Sequence, residues 1–365
     1  MPIYMDLHIV PGVSAKMAAE AHREDHKVQN EFGCRCMTYW VDEERGRAFC
    51  LIEAPNKEAI NKMHTKAYGA KPLEIIEVNS SAVEAFLGRI HDPETIVDLS
   101  NPDLKIFNDP AFRIILVIQM IDEKLLEFQV GKEKSKELLF LFKNVVRSQI
   151  KKYGGNEAIS KGVSIISSFG SSFQAVKCAS AIKDELQKES KIINLHLGLH
   201  AGNPVTKDGS LFSDVVKFGK FLCSIGNENE IILSPITFDL YKKEYQRIVE
   251  PESFRYIDAE DEKFLESLMN TLSENWNDTA FNVVQLSNKM ILSKSRLYRT
   301  CISRLGKSPN SIILEYRLKK SLQLLIRKNT NVAQTAFDAG FSSASYFTKC
   351  FRKHFGLQPS TYRLG

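Results

Sequence analysis

A chain of 365 residues, 43% hydrophobic and 25% charged, is long enough for two or three domains and has the balance of an ordinary water-soluble protein. No stretch approaches a membrane span, the opening residues lack the layout of a signal peptide, and no lipid-anchor motif occurs, so the expected location is the cytoplasm. Seven scattered cysteines, an odd number, suit a reducing compartment better than a disulfide framework. The net charge of +5 conceals an asymmetry: residues 281–365 hold fifteen Lys and Arg against only Glu315 and Asp338, a net +13, which leaves −8 on the first 280 residues. Attraction for phosphate is therefore confined to one end.

Residues 1–80 form the first predicted unit. Ile3 to Val10 reads as a strand, and Ser14 caps a helix running to about Glu31. Cys36–Val41 and Ala48–Glu53 form a hairpin around the polar turn Asp42–Gly46, Asn56 opens a second helix, and Leu73–Val78 closes as a strand. This order, βαββαβ, predicts a ferredoxin-like α+β sandwich. Its chemistry sits in His8, His22, Asp25, His26, Cys50 and His64. His22, Asp25 and His26 share one helical face, and imidazole with carboxylate suits nickel, zinc or copper. Arg23 stands where a zincin protease needs Glu, which excludes that hydrolase. The bland alternative is a solvated polar face.

The stretches Met1-Pro-Ile-Tyr-Met-Asp6, His22-Arg-Glu-Asp25, Tyr39-Trp-Val-Asp42, Phe49-Cys-Leu-Ile-Glu-Ala-Pro55 and His64 through Gly69 resemble a small family of bacterial nickel-binding ferredoxin-like proteins. That resemblance implies nickel as cofactor, held first by His22, Asp25 and His64, with His8, His26 and Cys50 behind them. Family members commonly carry a second histidine before the closing glycine, where this chain has Tyr68.

Residues 81–110, punctuated by His91-Asp-Pro93, Asn101-Pro102 and Asp109-Pro110, read as a linker. Residues 111–250 then alternate strands (112–121, 192–200, 230–234) with helices (133–153, 172–186, 213–224) in a second α+β unit. Gly154-Gly155, Lys161-Gly-Val-Ser-Ile-Ile-Ser-Ser-Phe169, Leu197-Gly-Leu-His-Ala-Gly202 and Leu211-Phe-Ser-Asp-Val-Val216 resemble the class III adenylate/guanylate cyclase domain. Chemistry in that family needs two metal-holding carboxylates with an Asn and an Arg. Here those positions fall on Gln119, Val163, Lys217 and Phe221, and Asp214 alone remains. The expectation is a degenerate, non-catalytic domain that binds a small ligand or dimerises, since related catalytic domains work as pairs.

After a joint at 251–262, residues 263–365 read as an all-α module with two helix-turn-helix copies. In the first, Val283, Val284, Leu286 and Met290 form one helix, Ile291-Leu292 breaks it, and Ser293 caps a helix with Leu297, Cys301 and Leu305 inward. In the second, Thr335, Ala336 and Ala339 give one face, Gly340 supplies a φ > 0 position, Phe341 plugs the turn, and Ser342 or Ser343 caps a helix burying Phe347 and Phe351. A helix over Ser311–Lys328 joins them at fixed spacing, which suits successive major grooves roughly 34 Å apart. Arg317-Leu318, Ala336-Phe-Asp-Ala-Gly-Phe341, Ser345-Tyr-Phe347, Phe351-Arg-Lys-His-Phe-Gly356 and Pro359-Ser-Thr-Tyr-Arg363 resemble the AraC/XylS family of transcription regulators.

Carried over by position, base-reading falls on Ser295, Tyr298 and Arg299 in the first unit and on Ala344, Ser345, Tyr346 and Lys349 in the second. Lys294, Arg296, Arg352 and Lys353 are expected on phosphates. The implied partners are double-stranded DNA, RNA polymerase and a second copy of the chain through the first two domains, with no membrane. Ile291 stands where the family has Gly, which predicts a strained first turn. Two other classes stay open: a cyclase carrying a DNA-binding module, and a nickel-binding protein with DNA affinity.

Overall fold

The computed structural model describes residues 1–93, 104–206, 209–245, 254–327 and 330–364; Asn101-Pro102, Pro251 and Lys328 lie outside them. Six elements build the first unit: β1 (Ile3–Ile9), α1 (Ala15–Val28), β2 (Arg35–Asp42), β3 (Arg47–Glu53), α2 (Lys57–Tyr68) and β4 (Glu74–Val78). They give an antiparallel sheet ordered β2-β3-β1-β4, with Ser14 and Asn56 capping the helices as their side chains accept from Met17 and Ala59 amides. Side chains alternate across a strand, so Tyr4, Cys50, Ile52 and Ile75 meet the helices while Met5, Leu7, Phe49, Leu51 and Ile76 face away from them.

The second unit comprises α3 (Ser80–Leu87), β5 (Arg113–Met120), α4 (Glu123–Val130), α5 (Lys132–Lys152), β6 (Asn156–Lys161), β7 (Ser164–Phe169), α6 (Ser172–Glu189), β8 (Leu195–Gly202), α7 (Ser213–Ile225), β9 (Glu230–Leu233), α8 (Pro235–Glu244) and β10 (Phe254–Tyr256). Its sheet runs β10-β9-β8-β5-β7-β6. Ile114, Leu116 and Ile118 pack under α5 and α6, whereas Ile115, Val117 and Ile166 pack against Met5, Trp40 and Phe49 of the first sheet. The two sheets thus share one core. α7 lies on that same side, pressed onto β8 where a Cβ on Gly198 would stand 2.4 Å from the Gly219 carbonyl oxygen.

This packing corrects one expectation. The expected linker 81–110 is packed where it is described, over residues 81–93 and 104–110: α3 buries Val83, Phe86 and Leu87 in the shared core, and Asp109 is held by Arg89 and Arg113.

The third unit is helical: α9 (Ala259–Asn275), α10 (Val283–Lys289), α11 (Lys294–Leu305), α12 (Pro309–Leu325), α13 (Val332–Asp338), α14 (Ala344–Phe355) and α15 (Pro359–Leu364). α9 starts inside the expected joint, because Glu260, Asp261 and Glu262 in its first turn favour the positive end of the helix dipole. The module is packed onto the central domain at two places. Phe221, Leu222 and Ile225 of α7 join Leu265, Leu268, Leu272 and Ile312, and Leu125 of α4 joins Leu318, Phe347 and Phe351. Tyr362 Oη donates to Asp122 Oδ1 at 3.0 Å beside the second contact.

Candidate nucleic-acid interface and metal cluster

The two turns have one hydrogen-bond pattern despite their different residues. Ile291 and Gly340 amides donate to the Asn288 and Phe337 carbonyls at 3.0 and 2.9 Å, and Leu292 and Phe341 amides donate to Ser287 and Ala336 at 2.9 Å each. Both turn residues are left-handed, Gly340 at φ 79 and Ile291 at φ 54. A β-branched residue there crowds its carbonyl, and Ile291 is 92% exposed, so no packing compensates. Ile291→Gly is expected to stabilise the module by about 1 kcal/mol, read as a higher denaturant midpoint at unchanged slope.

Each turn leads into a capped helix that presents a polar face. Ser293 Oγ accepts from the Arg296 amide and Ser343 Oγ, rather than Ser342, from the Tyr346 amide. Leu297, Cys301, Phe347 and Phe351 are buried beneath. Lys294, Ser295, Arg296, Tyr298 and Arg299 are exposed on α11, and Ser345, Tyr346, Lys349, Arg352 and Lys353 on α14, with Ala344 half-buried. Ser345, Lys349, Arg352 and Lys353 line one shallow groove. The first face differs electrostatically from the second: Arg296 and Arg299 share a groove with Glu260 and Asp261, and Arg304 Nε is 3.0 Å from Asp261 Oδ1.

In the first domain the structure regroups the metal candidates around Asp6, which sequence reading missed. Asp6, His8, Cys50 and His64 bring one ligand atom each to within 4.8 Å of one another. Asp6 and His8 are two apart on β1 and so share a face, the only local signal that pointed to the aspartate. His64 is fully buried, with Nε2 2.8 Å from Asp6 Oδ2 and Nδ1 2.9 Å from Asp25 Oδ1. Tyr68 Oη lies 2.6 Å from the same Nδ1. Asp25 therefore stands behind His64 rather than in the cluster. His22 and His26 turn to each other instead, Nε2 to Nε2 at 3.1 Å, with Asp92 Oδ1 3.8 Å from His22.

Burial would lower the His64 pKa, but the hydrogen bonds and charges of Asp25 and Asp6 outweigh it and raise the group from 6.5 to about 10. Burial raises Asp25, whereas His8 and His64 overcome burial at Asp6 and hold its carboxyl well below the usual range. His22 is driven down to about 4, chiefly by burial. Because the folded His64 pKa lies above its unfolded value, its contribution is fully present below pH 6.5 and is lost as pH rises through about 10. Thermal unfolding of the metal-free chain should show a fall in midpoint between those limits that is smaller in His64→Gln; equal slopes in both proteins would remove the imidazolium.

The cluster suits a borderline divalent ion. One carboxylate, two imidazoles and a thiol form a mixed O, N and S set, and among the described residues the buried His8 Nε2 makes no hydrogen bond, with Asp6 Oδ1 3.5 Å away, as an unfilled ligand atom would be. Burial pushes the Cys50 thiol well up, so that ligand would bind only by giving up its proton.

Two stretches of the chain match known families. Residues 286–365 match the family model described as a helix-turn-helix domain, and residues 4–78 match the nickel responsive protein SCO4226-like family. The chain is 33% identical over 107 residues to histidine kinase P4 of Formosa agariphila, covering 29% of this chain and 8% of that protein. It is 32% identical over 107 residues to the probable transcriptional regulator LumQ of Photobacterium leiognathi, covering 28% and 43%. The chain thus spans less than half of either relative. Among solved structures, SCO4226 of Streptomyces coelicolor is 32% identical, covering 21% of this chain and 94% of that one at a TM-score of 0.20. The adenylyl cyclase CyaB of Pseudomonas aeruginosa is 18% identical, covering 36% and 81% at a TM-score of 0.32.

The two family models match separate ends of the chain. Residues 286–365 form a helix-turn-helix domain of the AraC type, and residues 4–78 a domain similar to the SCO4226-like family. No described helix is long and apolar enough to cross a membrane.

Proposed function

We propose that the chain is a cytoplasmic, sequence-specific transcription regulator whose C-terminal module binds double-stranded DNA and whose first two domains sense a ligand without catalysis. One observation carries this reading: two helix-turn-helix units, joined through α12, expose their reading faces in the part of the chain that holds a net +13. Arg299 and Lys349 would donate to guanine or phosphate, Ser295, Tyr298, Ser345 and Tyr346 would meet base edges or methyl groups, and Lys294, Arg296, Arg352 and Lys353 would hold phosphates. Bound at an operator, such a module would act on RNA polymerase. Arg299→Ala and Lys349→Ala should each lose about 1–3 kcal/mol of specific affinity in gel shifts and relax one base position. Unchanged binding in both variants would refute this docking mode.

The ligand we assign to the first domain is nickel, held by Asp6, His8, Cys50 and His64. A bound divalent ion would supply charge that ties β1, β3 and α2 together. Titration calorimetry of the full chain with nickel should give heat that His8→Ala abolishes; no heat between pH 6 and 8 removes the metal. The central domain, lacking a paired carboxylate site, would serve as the frame between this domain and the DNA module. Production of cyclic nucleotide from ATP or GTP with manganese, abolished by Asp214→Ala, would replace this reading with an enzymatic one.

A further inference from the structure

We infer that Arg317 is the positioning residue that holds the two reading units at one separation, an inference that rests on the DNA-binding reading above. Arg317 lies on α12, the helix between the units. Its Nε donates to the Trp276 carbonyl at 2.8 Å, and its Nη2 donates to the carbonyls of Asp278 and Phe281 at 2.7 and 2.9 Å. Those three oxygens belong to the connection from α9 to α10, where the helices of the first unit begin. The end of α9 and the turn after it supply these carbonyls, of which that of Asp278 also accepts from the Phe281 amide at 3.1 Å, and one planar guanidinium donates to all three.

The same guanidinium touches the second unit. A Cβ on Gly340 would fall 2.3 Å from the Trp276 carbonyl oxygen and 2.7 Å from Arg317 Nε. The turn of the second unit therefore sits on the arginine link itself, and Gly340 is needed there for space as well as for its φ of 79. From these two turns hang α11 and α14, capped by Ser293 and Ser343. One side chain thus ties the base of the first reading unit to the turn of the second. The ammonium of Lys reaches as a point charge and has no fixed fork to span three carbonyls.

Two reading heads on a rigid frame bind adjacent grooves as one event, because the first contact raises the effective concentration of the second. Loosening the frame leaves the contacts of each head intact but weakens their joint use. Duplexes enriched from a randomised library by the full-length wild-type chain provide the probe, both intact and with either half scrambled. Arg317→Gln should bind the intact duplex about tenfold or more weakly while its affinity for either half-scrambled duplex changes less than about twofold, and Arg317→Lys should fall between. Equal losses on all three duplexes, or none on the intact one, overturn the assignment. Should Arg317→Gln fail to fold, the same ratio in Arg317→Lys decides. A wild-type chain that enriches no duplex refutes the DNA-binding reading instead, which separates the two failures.

Discussion

Trp40→Ala is expected to destabilise the chain by about 3–5 kcal/mol and to bring the melting of the first two domains down together. Trp40 is fully buried and lies in the core shared by both sheets, among Phe49, Leu51, Ile115, Val117 and Phe212. Removing an indole there opens a cavity that neither sheet can close alone, since each is held on its other face by its own helices. Arg89 also stacks on the indole with its guanidinium 4.5 Å from the ring, so the connection after α3 loses a contact as well. Denaturant unfolding followed by near-ultraviolet and far-ultraviolet dichroism measures this. Separate transitions, with the wild-type midpoint kept by one of them, would show that the common core is not cooperative. For the same reason residues 1–80 cut from the chain should self-associate, because Met5, Leu7, Trp40, Phe49, Leu51 and Ile76 would face water.

The second large effect is on salt. If the two units together neutralise about six phosphates, affinity for the enriched duplex should fall about a thousandfold between about 50 and 200 mM salt. Arg352→Ala combined with Lys353→Ala should flatten the slope of log affinity against log salt by about two, with little change in base preference. Both side chains are exposed on α14 and line the same groove as Lys349. Replacements on α11 should flatten the slope less, because Glu260 and Asp261 already stand beside Arg296 and Arg299. A slope unaltered by the α14 pair would show that this helix does not face the backbone.

Much of the helix-turn-helix module was legible in its residues. Gly340, Phe341, Phe347 and Phe351 predict a turn and a buried helix face through local chemistry alone, and the left-handed backbone at Ile291 follows from its place in the repeated pattern. The metal candidates were legible only in part. His22, Asp25 and His26 share a helix face, so spacing grouped them, yet the cluster draws on β1, β3 and α2 and centres on Asp6, 58 residues from His64. Distant strands brought together by register leave no periodic trace between them. α3, α4 and α8 also went unnoticed, each ten residues or fewer and next to a strand whose apolar signal overrode it.

The sequence by itself determined the local devices: the capped helices, the βαββαβ order and the concentration of basic charge at the C-terminal end. These depend on neighbours within a few positions, where sterics, capping and periodicity act. Only the tertiary structure decided that the two sheets bury each other's open faces, that α4 and α7 each grip one reading unit, and that Arg317 meets both units. Such contacts come from burying apolar surface and unpaired carbonyls wherever the fold makes them available, and neither preference names its partner in the chain.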